Sequence, residues 1–256
     1  MKKTNISIVG SGNVATHLAL ALHSAGCNIH QILSRSFEHA QMLARRIDAQ
    51  PVNQWQRLDE DADVYLLAVT DDALYDLALD LRLPNALVIH TSGTTPISVL
   101  KPISRRHGVV WSPQTFVRDI AMDYRRLPLC IEGSTPDAES AIEELMSLIS
   151  PCIYHIDYEQ RRRAHLAAVW VSNFTNAVNA TAQELMQQAG LDFDMLRPLA
   201  EQTLRKWDYG NLWQQQTGPA IRHDDKTLNA QRRLLLDQPE LLRLYDQLTE
   251  LIQNRS

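Results

Sequence analysis

The small residues near the start of the chain constrain its fold more than any other feature. Residues 5–9 read Asn-Ile-Ser-Ile-Val, which predicts a short buried strand, and residues 17–24 have the apolar character of a helix. Between the two, Gly10, Gly12 and Ala15 complete a GxGxxA pattern. In such a unit the first glycine allows a tight turn, the second lets the backbone approach a pyrophosphate, and the third small residue lets helix and strand pack closely.

This order of strand, turn and helix predicts a dinucleotide-binding site. The exposed N–H groups of a helix that begins near residue 13 attract a diphosphate, because these groups and the helix dipole favour an anion. The residues expected to hold the cofactor at this turn are Gly10, Ser11, Gly12, Asn13 and Val14. The alternative is a strand–turn–helix unit that binds no ligand.

The end of the second predicted strand indicates which dinucleotide is bound. In NAD-specific proteins of this fold, an Asp or Glu at this point accepts hydrogen bonds from the ribose 2′-hydroxyl. Here the strand 28–33 is followed by Ser34, Arg35 and Ser36, with no acidic residue. A guanidinium and two hydroxyls match a 2′-phosphate, so we expect NADP rather than NAD. The alternative is a solvated arginine at the end of a strand.

Strands and helices alternate from the glycine turn to residue 156. The predicted elements after the second strand are a helix at 37–47, a strand at 63–69, a helix at 73–81, a strand at 86–89, a short helix at 96–100, strands at 108–111 and 127–131, a helix at 138–150 and a strand at 153–156. This alternation predicts a parallel α/β sheet of the Rossmann type. Ligands of such sheets lie beyond the carboxyl ends of the strands.

Two loops at the carboxyl ends of predicted strands therefore supply further candidate residues. Those expected at the cofactor are Ala68, Val69, Thr70, Asp71, His90 and Thr91. Ser92 is a candidate catalytic residue. The alternative is that His90 and Ser92 cap the helix at 96–100, and Asp71 or Asp72 is expected to cap the helix that follows it.

The composition excludes several classes of protein. With 256 residues, 45% of them apolar and 21% charged, the chain can build a globular core without disulfide bonds or bound metals to stabilise it. A net charge of −5 argues against a nucleic-acid or anionic-membrane surface. No secretory leader is predicted, and Cys27, Cys130 and Cys152 lack the spacing of disulfide or metal sites. We expect a cytoplasmic protein with reduced thiols and no bound metal.

Helical periodicity replaces the strand signals after residue 157. We therefore expect a nucleotide-binding domain at 1–157 and an all-helical substrate and dimerisation domain at 158–256. Residues 164–183 carry no charged side chain apart from His165, yet their polar residues exclude a membrane span, so protein is expected to cover both faces of this helix. The polar stripe on the helix comprises His165, Ser172, Asn176 and Asn179, with Asn173 at its border. Its partners would be cofactor and substrate, another subunit or neighbouring helices.

Two polar loops complete the set of candidate segments. Residues 112–116, Ser-Pro-Gln-Thr-Phe, are expected to line a substrate pocket. In the loop 208–225 a Thr-Gly-Pro turn at 217–219 precedes Arg222, and a guanidinium near free backbone donors suits a carboxylate. The alternative is an interdomain turn with an exposed arginine. The last predicted helices, at 226–236 and 239–253, are expected to form core or a dimer surface.

The order of these parts resembles an uncharacterised family that joins a Rossmann-like NADP-binding domain to a helical domain of unknown function. The resemblance covers nearly the whole chain. It is carried by the glycine turn together with Ala68–Asp72, His90–Gly93, Pro113–Phe116, His165–Val169, Ser172–Phe174, Thr217–Pro219, Arg222 and Asp224.

More distantly, the chain is similar to pyrroline-5-carboxylate reductases and to the 6-phosphogluconate and β-hydroxyacid dehydrogenases. This resemblance implies a helical second domain, like that of 6-phosphogluconate dehydrogenase, that dimerises and closes over the nicotinamide. Two departures limit it. No lysine lies between Lys101 and Lys206, so the catalytic lysine of the β-hydroxyacid dehydrogenases is missing. Ser112 stands where relatives often carry a histidine, which argues against an acid from that loop.

Together these features predict an NADPH-dependent reductase, or the reverse dehydrogenase, for a small carbonyl or imine compound that carries a carboxylate. His165 is expected to move the proton, since histidine exchanges protons near neutral pH. Asn173 or Ser92 would hold the carbonyl oxygen, and Arg222 would hold the carboxylate. The alternative is a sensor that binds NADP(H) and acts through a partner, and a third possibility is a flavin or deazaflavin cofactor.

Overall fold

The computed structural model describes residues 4–118 and 120–255 of the chain. These residues form two compact units, which are divided between Ala177 and Val178. The division between the units falls inside a long helix. The domain boundary expected from the sequence, between residues 157 and 158, stays a prediction.

A sheet of eight strands forms the centre of the first unit, counted over the described residues. The strands are β1 Asn5–Val9, β2 Asn28–Leu33, β3 Gln50–Val52, β4 Val64–Leu67, β5 Leu87–His90, β6 Arg106–Trp111, β7 Leu129–Gly133 and β8 Ile153–His155. Their order in the sheet is β3-β2-β1-β4-β5-β6-β7-β8, and all neighbours except β6 and β7 are parallel. The predicted fold class, a Rossmann-type α/β sheet followed by helices, is confirmed.

The pairing of β6 with β7 departs from the parallel arrangement that the alternation of strands and helices predicts. Trp111 lies opposite Cys130, and Gly108 lies opposite Gly133, in an antiparallel register. A parallel pair needs a crossover connection, usually a helix. In the described part of the connection 112–128, the structure has one short 3-10 turn, Tyr124–Arg126. Because β4, β5 and β6 are parallel, the loop that follows β6 begins at the same end of the sheet as the loops that follow β4 and β5.

Five helices belong wholly to the first unit as described. They are α1 Asn13–Ser24, α2 Phe37–Arg45, α3 Asp71–Asp80, α4 Pro136–Ser147 and α5 Tyr158–Val169. Helix α5 begins with a capping box formed by Asp157 and Gln160, which satisfies two backbone donors. The N-cap of helix α3 is Thr70, whose side chain makes no capping bond, and both Asp71 and Asp72 lie in the first turn of the helix. The expected capping of this helix by an aspartate is wrong.

Apolar side chains pack against both faces of the sheet. On one face, Ile6 and Ile8 pack in a cluster that includes residues of α1, α2 and α4, and on the other, Tyr65 and Leu67 pack in a cluster that includes residues of α3. All four residues of β4 are buried, as the near-continuous apolar sequence of a central parallel strand requires. Burial also raises the pKa of the Cys130 thiol to about 11, so this free cysteine is a core residue.

Helix α5 continues through a π-helical segment, Trp170–Phe174, into α6 Thr175–Gln188. The side chains of Leu166, Trp170 and Phe174 are about half exposed, at 59%, 54% and 46%. The described residues of this chain therefore do not cover both faces of the uncharged helix. The expected cover by protein, for which another subunit is one of the candidates, stays a prediction.

The regular elements of the second unit are all helical over its described residues, as the sequence predicts for the end of the chain. Helix α6 is followed by α7 Arg197–Arg205, α8 Asp225–Arg233 and α9 Pro239–Gln253, with short 3-10 turns between α6 and α8. Arg232 pairs with Asp246 at 2.7 Å and joins α8 to α9. Among the described helices, none has both the length and the apolar character that a bilayer crossing requires.

Candidate functional site

The first glycine of the turn is fixed by its backbone. Gly10 has a φ of +121°, and a Cβ at this position would stand 2.1 Å from the carbonyl oxygen of Ala68. Its N–H donates to the carbonyl of Leu33 at 2.7 Å. The turn is therefore pressed between the ends of β2 and β4, where only glycine fits.

The second glycine leaves open space in front of a helix N-terminus. A Cβ at Gly12 would meet no described atom within 4 Å. Gly12 is the N-cap of α1, no side chain caps this end, and the first turn of the helix contains no acidic residue. The N–H groups of this turn and the space beside them fit the diphosphate of a dinucleotide.

The residues after β2 lie next to this turn. The Ser11 hydroxyl donates to Ser34 Oγ at 2.8 Å, which links the glycine turn to the end of β2. Ser36 caps α2 by accepting a hydrogen bond from the His39 N–H. Arg35 is exposed and has no ion-pair partner among residues 4–118 and 120–255. These residue types in this place fit a phosphate on the adenosine ribose.

A cavity of about 340 Å³ opens at the carboxyl ends of β4, β5 and β6. Six residues that the sequence predicts for the site line this cavity: Val14, Val69, Asp71, Thr91, Ser92 and His165. Its other lining residues are Leu18, Gly93, Thr94, Val110, Trp111, Ser112, Gln114, Phe116 and Leu129. The Ser-Pro-Gln-Thr-Phe loop is thus part of the wall, and the cavity lies where ligands of doubly wound sheets bind.

Hydroxyl groups hold the Asp71 carboxylate at the edge of this cavity. The Thr94 hydroxyl donates to Asp71 Oδ2. Burial raises the pKa of Asp71, but hydrogen bonds from Thr94, Ser92 and Thr95 outweigh it, so the pKa lies below its ordinary value. The side chain therefore brings a fixed negative charge to the cavity at neutral pH.

His90 is an organising residue beneath the cavity, not part of its lining. Its ring is fully buried, and Nδ1 accepts a hydrogen bond from the Ser92 N–H at 3.1 Å. Nε2 has no partner among the described residues. Burial, with the nearby charge of Arg161 and His107, lowers the pKa of His90 to about 3 despite the opposing charge of Asp71. The imidazole is therefore neutral.

The Ser92 hydroxyl shapes the loop that follows β5. Its oxygen accepts hydrogen bonds from the N–H groups of Thr94 at 3.1 Å and Thr95 at 2.9 Å. The next helix is a 3-10 turn at Ile97–Leu100 whose N-cap is Pro96. The alternative that His90 or Ser92 caps that helix is wrong. The one hydroxyl hydrogen of Ser92 bonds to the Asp71 carboxylate, where it helps to lower the pKa of that group.

His165 reaches the cavity from α5. Its ring lies 5.8 Å from the ring of Trp111, centroid to centroid. A Cβ on Gly93 would stand 2.6 Å from His165 Cδ2 and 2.8 Å from Trp111 Nε1. The imidazole is therefore seated against the backbone after β5, and only a glycine at position 93 allows this approach.

Sequence reasoning missed Arg161, which anchors α5 one turn before His165. Its side chain is fully buried and forms an ion pair with Glu132 on β7. It also donates to the carbonyl of Thr95 at 2.8 Å. The run of three arginines at 161–163 has the composition of a solvated helix face, so the sequence carries no signal that separates the first from its neighbours.

Sequence reasoning also missed how the Ser-Pro-Gln-Thr-Phe loop meets the glycine turn. The Asn13 side-chain amide donates to the Phe116 carbonyl at 2.8 Å, and Arg118 donates to the Ser11 carbonyl at 3.0 Å. More than 100 residues separate each pair in the sequence. The chain offers no local pattern from which such contacts could be read.

Two of the four predicted catalytic residues do not line the cavity. Asn173 is exposed in the π-helical segment, where the neighbouring Ser172 hydroxyl lies 3.3 Å from Thr115 Oγ1. Arg222 belongs to the second unit and is exposed. The catalytic roles of both residues stay predictions.

Fold and cavity together define a Rossmann-like dinucleotide-binding protein with a helical C-terminal part. Residues 1–112 match the model of a Rossmann-like domain, and residues 127–252 match that of a domain of unknown function, DUF2520. The chain belongs to the family that joins these two domains. No protein with a curated description is similar enough in sequence to match it.

Solved structures extend this comparison. A protein described as a putative NADP oxidoreductase from Bacteroides fragilis is 34% identical, with 98% of each chain covered and a TM-score of 0.90. A pyrroline-5-carboxylate reductase from Coxiella burnetii is 17% identical, with 99% of this chain and 97% of that chain covered and a TM-score of 0.59. A reductive aminase from Aspergillus terreus, solved with NADPH and ethyl-5-oxohexanoate, is 14% identical, with 97% and 88% covered and a TM-score of 0.67. The last two likenesses show the fold alone.

Proposed function

We propose that this chain is an NADP(H)-dependent oxidoreductase that transfers a hydride to or from a small carbonyl or imine compound. The observation that carries the proposal is the cavity at the ends of β4, β5 and β6. Ser92 and His165 both line this cavity, as does Val14, which follows the glycine turn. The Bacteroides fragilis protein, at 34% identity over nearly the whole chain, is described as a putative NADP oxidoreductase and supports the same class.

The chain's own residues would hold the cofactor along the carboxyl edge of the sheet. The N–H groups after Gly12 would bind the diphosphate, and Ser34, Arg35 and Ser36 would bind the 2′-phosphate. Val69 and Thr91 line the cavity and would lie beside the nicotinamide. When bound, this ring supplies or accepts the hydride.

The remaining chemistry falls to side chains at the cavity wall. His165 would donate the proton that the carbonyl oxygen takes up on reduction, or accept it in the reverse reaction. The Ser92 hydroxyl, whose oxygen is fixed by two backbone N–H groups, would hold the carbonyl oxygen by turning its hydrogen from the Asp71 carboxylate to the substrate. In the same proposal Asn173 assists at the carbonyl oxygen and Arg222 binds a substrate carboxylate.

We place the enzyme in the cytoplasm as a homodimer formed through its C-terminal helices. The exposed apolar residues on α5 and the π-helical segment support this assembly, because such side chains on an uncharged helix favour burial against protein.

One assay with the purified full chain tests the proposal. NADPH binding is measured by calorimetry, and a panel of 2-keto acids, neutral ketones and cyclic imines is then screened for loss of reduced-nicotinamide absorbance. We expect binding of NADPH and turnover of at least one carbonyl or imine compound. Binding without turnover of any panel member would favour an NADP(H) sensor, and absence of binding to either redox form would overturn both functions.

The matched control for the cofactor is Arg35→Ala. Loss of the guanidinium should weaken NADPH binding by about tenfold and leave NADH binding unchanged, because only NADPH carries the 2′-phosphate. Equal effects on the two cofactors would contradict the assignment of Ser34, Arg35 and Ser36 to that phosphate.

A further inference from the structure

The fixed charge of the cavity is negative. Among the described residues that line it, Asp71 is the one carboxylate, and none is a lysine or an arginine. Apart from Asp71, His165 is the one residue of the described lining with an acid–base side chain. A substrate that enters this cavity therefore meets an anionic group with no lysine or arginine beside it in the described lining.

The carboxylate is held in place and cannot be regarded as a freely solvated surface group. Asp71 is partly buried, and the Thr94 hydroxyl donates to its Oδ2. Thr94 is in turn fixed because its N–H donates to Ser92 Oγ at 3.1 Å. Asp72, the next residue in the first turn of α3, is exposed and does not line the cavity. The two aspartates share the helix N-terminus but differ in access to the site.

The other walls of the cavity suit a cation as well. Trp111 and Phe116 contribute aromatic rings to the lining. Aromatic faces attract a positive charge through the ring quadrupole, and this attraction grows when the cation is shielded from water. A carboxylate and aromatic rings in the lining of one cavity favour a positively charged group over a neutral one of the same size.

We propose that this cavity selects a substrate with positive charge at the reacting carbon–nitrogen bond, an iminium ion, and that Asp71 is the residue that determines this preference. The inference deepens the proposed oxidoreductase function and rests on it. In reduction, the iminium carbon accepts a hydride, the carbon–nitrogen π electrons pass to nitrogen, and the reduced nicotinamide becomes a pyridinium. An N-alkylated iminium thereby becomes a neutral amine without a proton, whereas a ketone needs the hydride and one proton.

Direct binding tests the inference independently of turnover. Cyclohexylammonium and the neutral cyclohexanol are titrated by calorimetry into the full-length protein, its Asp71→Asn variant and the control Asp72→Asn. We expect the protein to bind the ammonium about tenfold more tightly than the alcohol, Asp71→Asn to bind both equally, and Asp72→Asn to keep the preference. Equal binding of the two probes by the unaltered protein would overturn the inference.

Activity adds a second readout with the same variants. N-methyl-3,4-dihydroisoquinolinium and 2-tetralone present a permanent iminium and a neutral ketone of similar shape. Asp71→Asn should raise KM for the iminium by about tenfold and leave KM for the ketone within about twofold. An equal rise for both substrates would overturn the inference.

The outcomes distinguish this inference from the proposed function. They also distinguish a cationic substrate from the positively charged nicotinamide ring of NADP+ as the partner of Asp71. Selective ammonium binding that is lost in Asp71→Asn, with no turnover of either substrate, would support the cation site and reject the oxidoreductase. If Asp71→Asn instead weakens NADP+ binding more than NADPH binding while the ammonium preference persists, the carboxylate serves the oxidised nicotinamide ring. That result would overturn the assignment to substrate.

Discussion

At the residue scale, the two glycines of the first turn make different demands. A Cβ at Gly10 collides with the Ala68 carbonyl, whereas a Cβ at Gly12 meets no described atom within 4 Å. Gly12→Ala should therefore leave the free energy of unfolding nearly unchanged but weaken NADPH binding by about tenfold or more, because the methyl group occupies the place of the diphosphate. Calorimetric titration beside urea denaturation measures both. Unchanged NADPH affinity in a folded Gly12→Ala protein would contradict the assigned site.

His165 carries the proton transfer in the proposed reaction. His165→Ala should lower kcat for a ketone substrate by roughly a hundredfold, because general acid catalysis is lost. NADPH affinity should stay nearly constant, since the ring stands against Trp111 and Gly93 and not at the glycine turn. Steady-state kinetics and NADPH titration of the variant check this. Full activity would reject His165 as the proton donor.

His90 makes the stability of the fold depend on pH. Its pKa is about 3 in the folded protein, against an ordinary value of 6.5, because the buried ring must stay neutral. Between these values the unfolded chain binds a proton that the folded chain excludes, so the stability present above pH 6.5 is lost as the pH falls toward 3. The slope contributed by this group is about 1.4 kcal/mol per pH unit within that window.

The variant His90→Asn isolates this contribution. An asparagine side-chain oxygen can still accept the Ser92 N–H, but it does not titrate. Urea denaturation from pH 7 to pH 4 should show a shallower loss of stability in the variant than in the unaltered protein. Asp71, whose lowered pKa also makes stability fall in acid, is present in both proteins, and the larger causes of its shift, burial and the hydrogen bonds from Thr94, Ser92 and Thr95, are common to the two curves. Parallel curves would show that His90 is not the group responsible.

At the scale of elements, one buried ion pair attaches α5 to the sheet. Arg161 is 0% exposed and its partner Glu132 is 19% exposed. Arg161→Met should lower the free energy of unfolding by about 3 kcal/mol, because it leaves Glu132 without its partner in a largely buried position. Arg162 is the matched control, since its pair with Glu159 is mostly exposed. Arg162→Met should cost less than ~1 kcal/mol in the same denaturation experiment.

Most elements of the sheet could be predicted because their signals are local. The buried strand β4 is a continuous apolar run of residues. The first turn is indicated by Gly10 itself, because glycine readily adopts the positive φ found there. The sequence does not predict the three-residue strand β3. Gln50–Val52 contains a proline and is too short to show the alternation of apolar and polar residues that marks a strand. The antiparallel β6–β7 pair was missed for another reason: the direction of a strand depends on the connection before it, and not on the strand's own residues.

The candidate site likewise contains residues that the sequence predicts and residues that it does not. Residues that directly follow a strand, such as Asp71 and Ser92, were predicted to lie at the site and do line the cavity. Trp111 was predicted only as the end of a strand, and Thr94 and Arg161 carried no local signal at all. Their roles depend on contacts between segments far apart in the chain, which only the assembled sheet provides.

At the scale of the whole molecule, the exposed apolar residues at the end of α5 predict how copies of the chain associate. Trp170 and Phe174 form an edge-to-face pair with ring centroids 4.9 Å apart, and each is about half exposed. A second copy that covers this pair would remove apolar area from water, which the uncharged sequence around it permits. We therefore expect a dimer by sedimentation at micromolar concentration and a shift to monomer in Trp170→Glu. The control is Leu79→Glu on α3, at a side chain 73% exposed, which should leave the dimer intact. A Trp170→Glu protein that stays dimeric and folded would place the subunit contact elsewhere on the molecule.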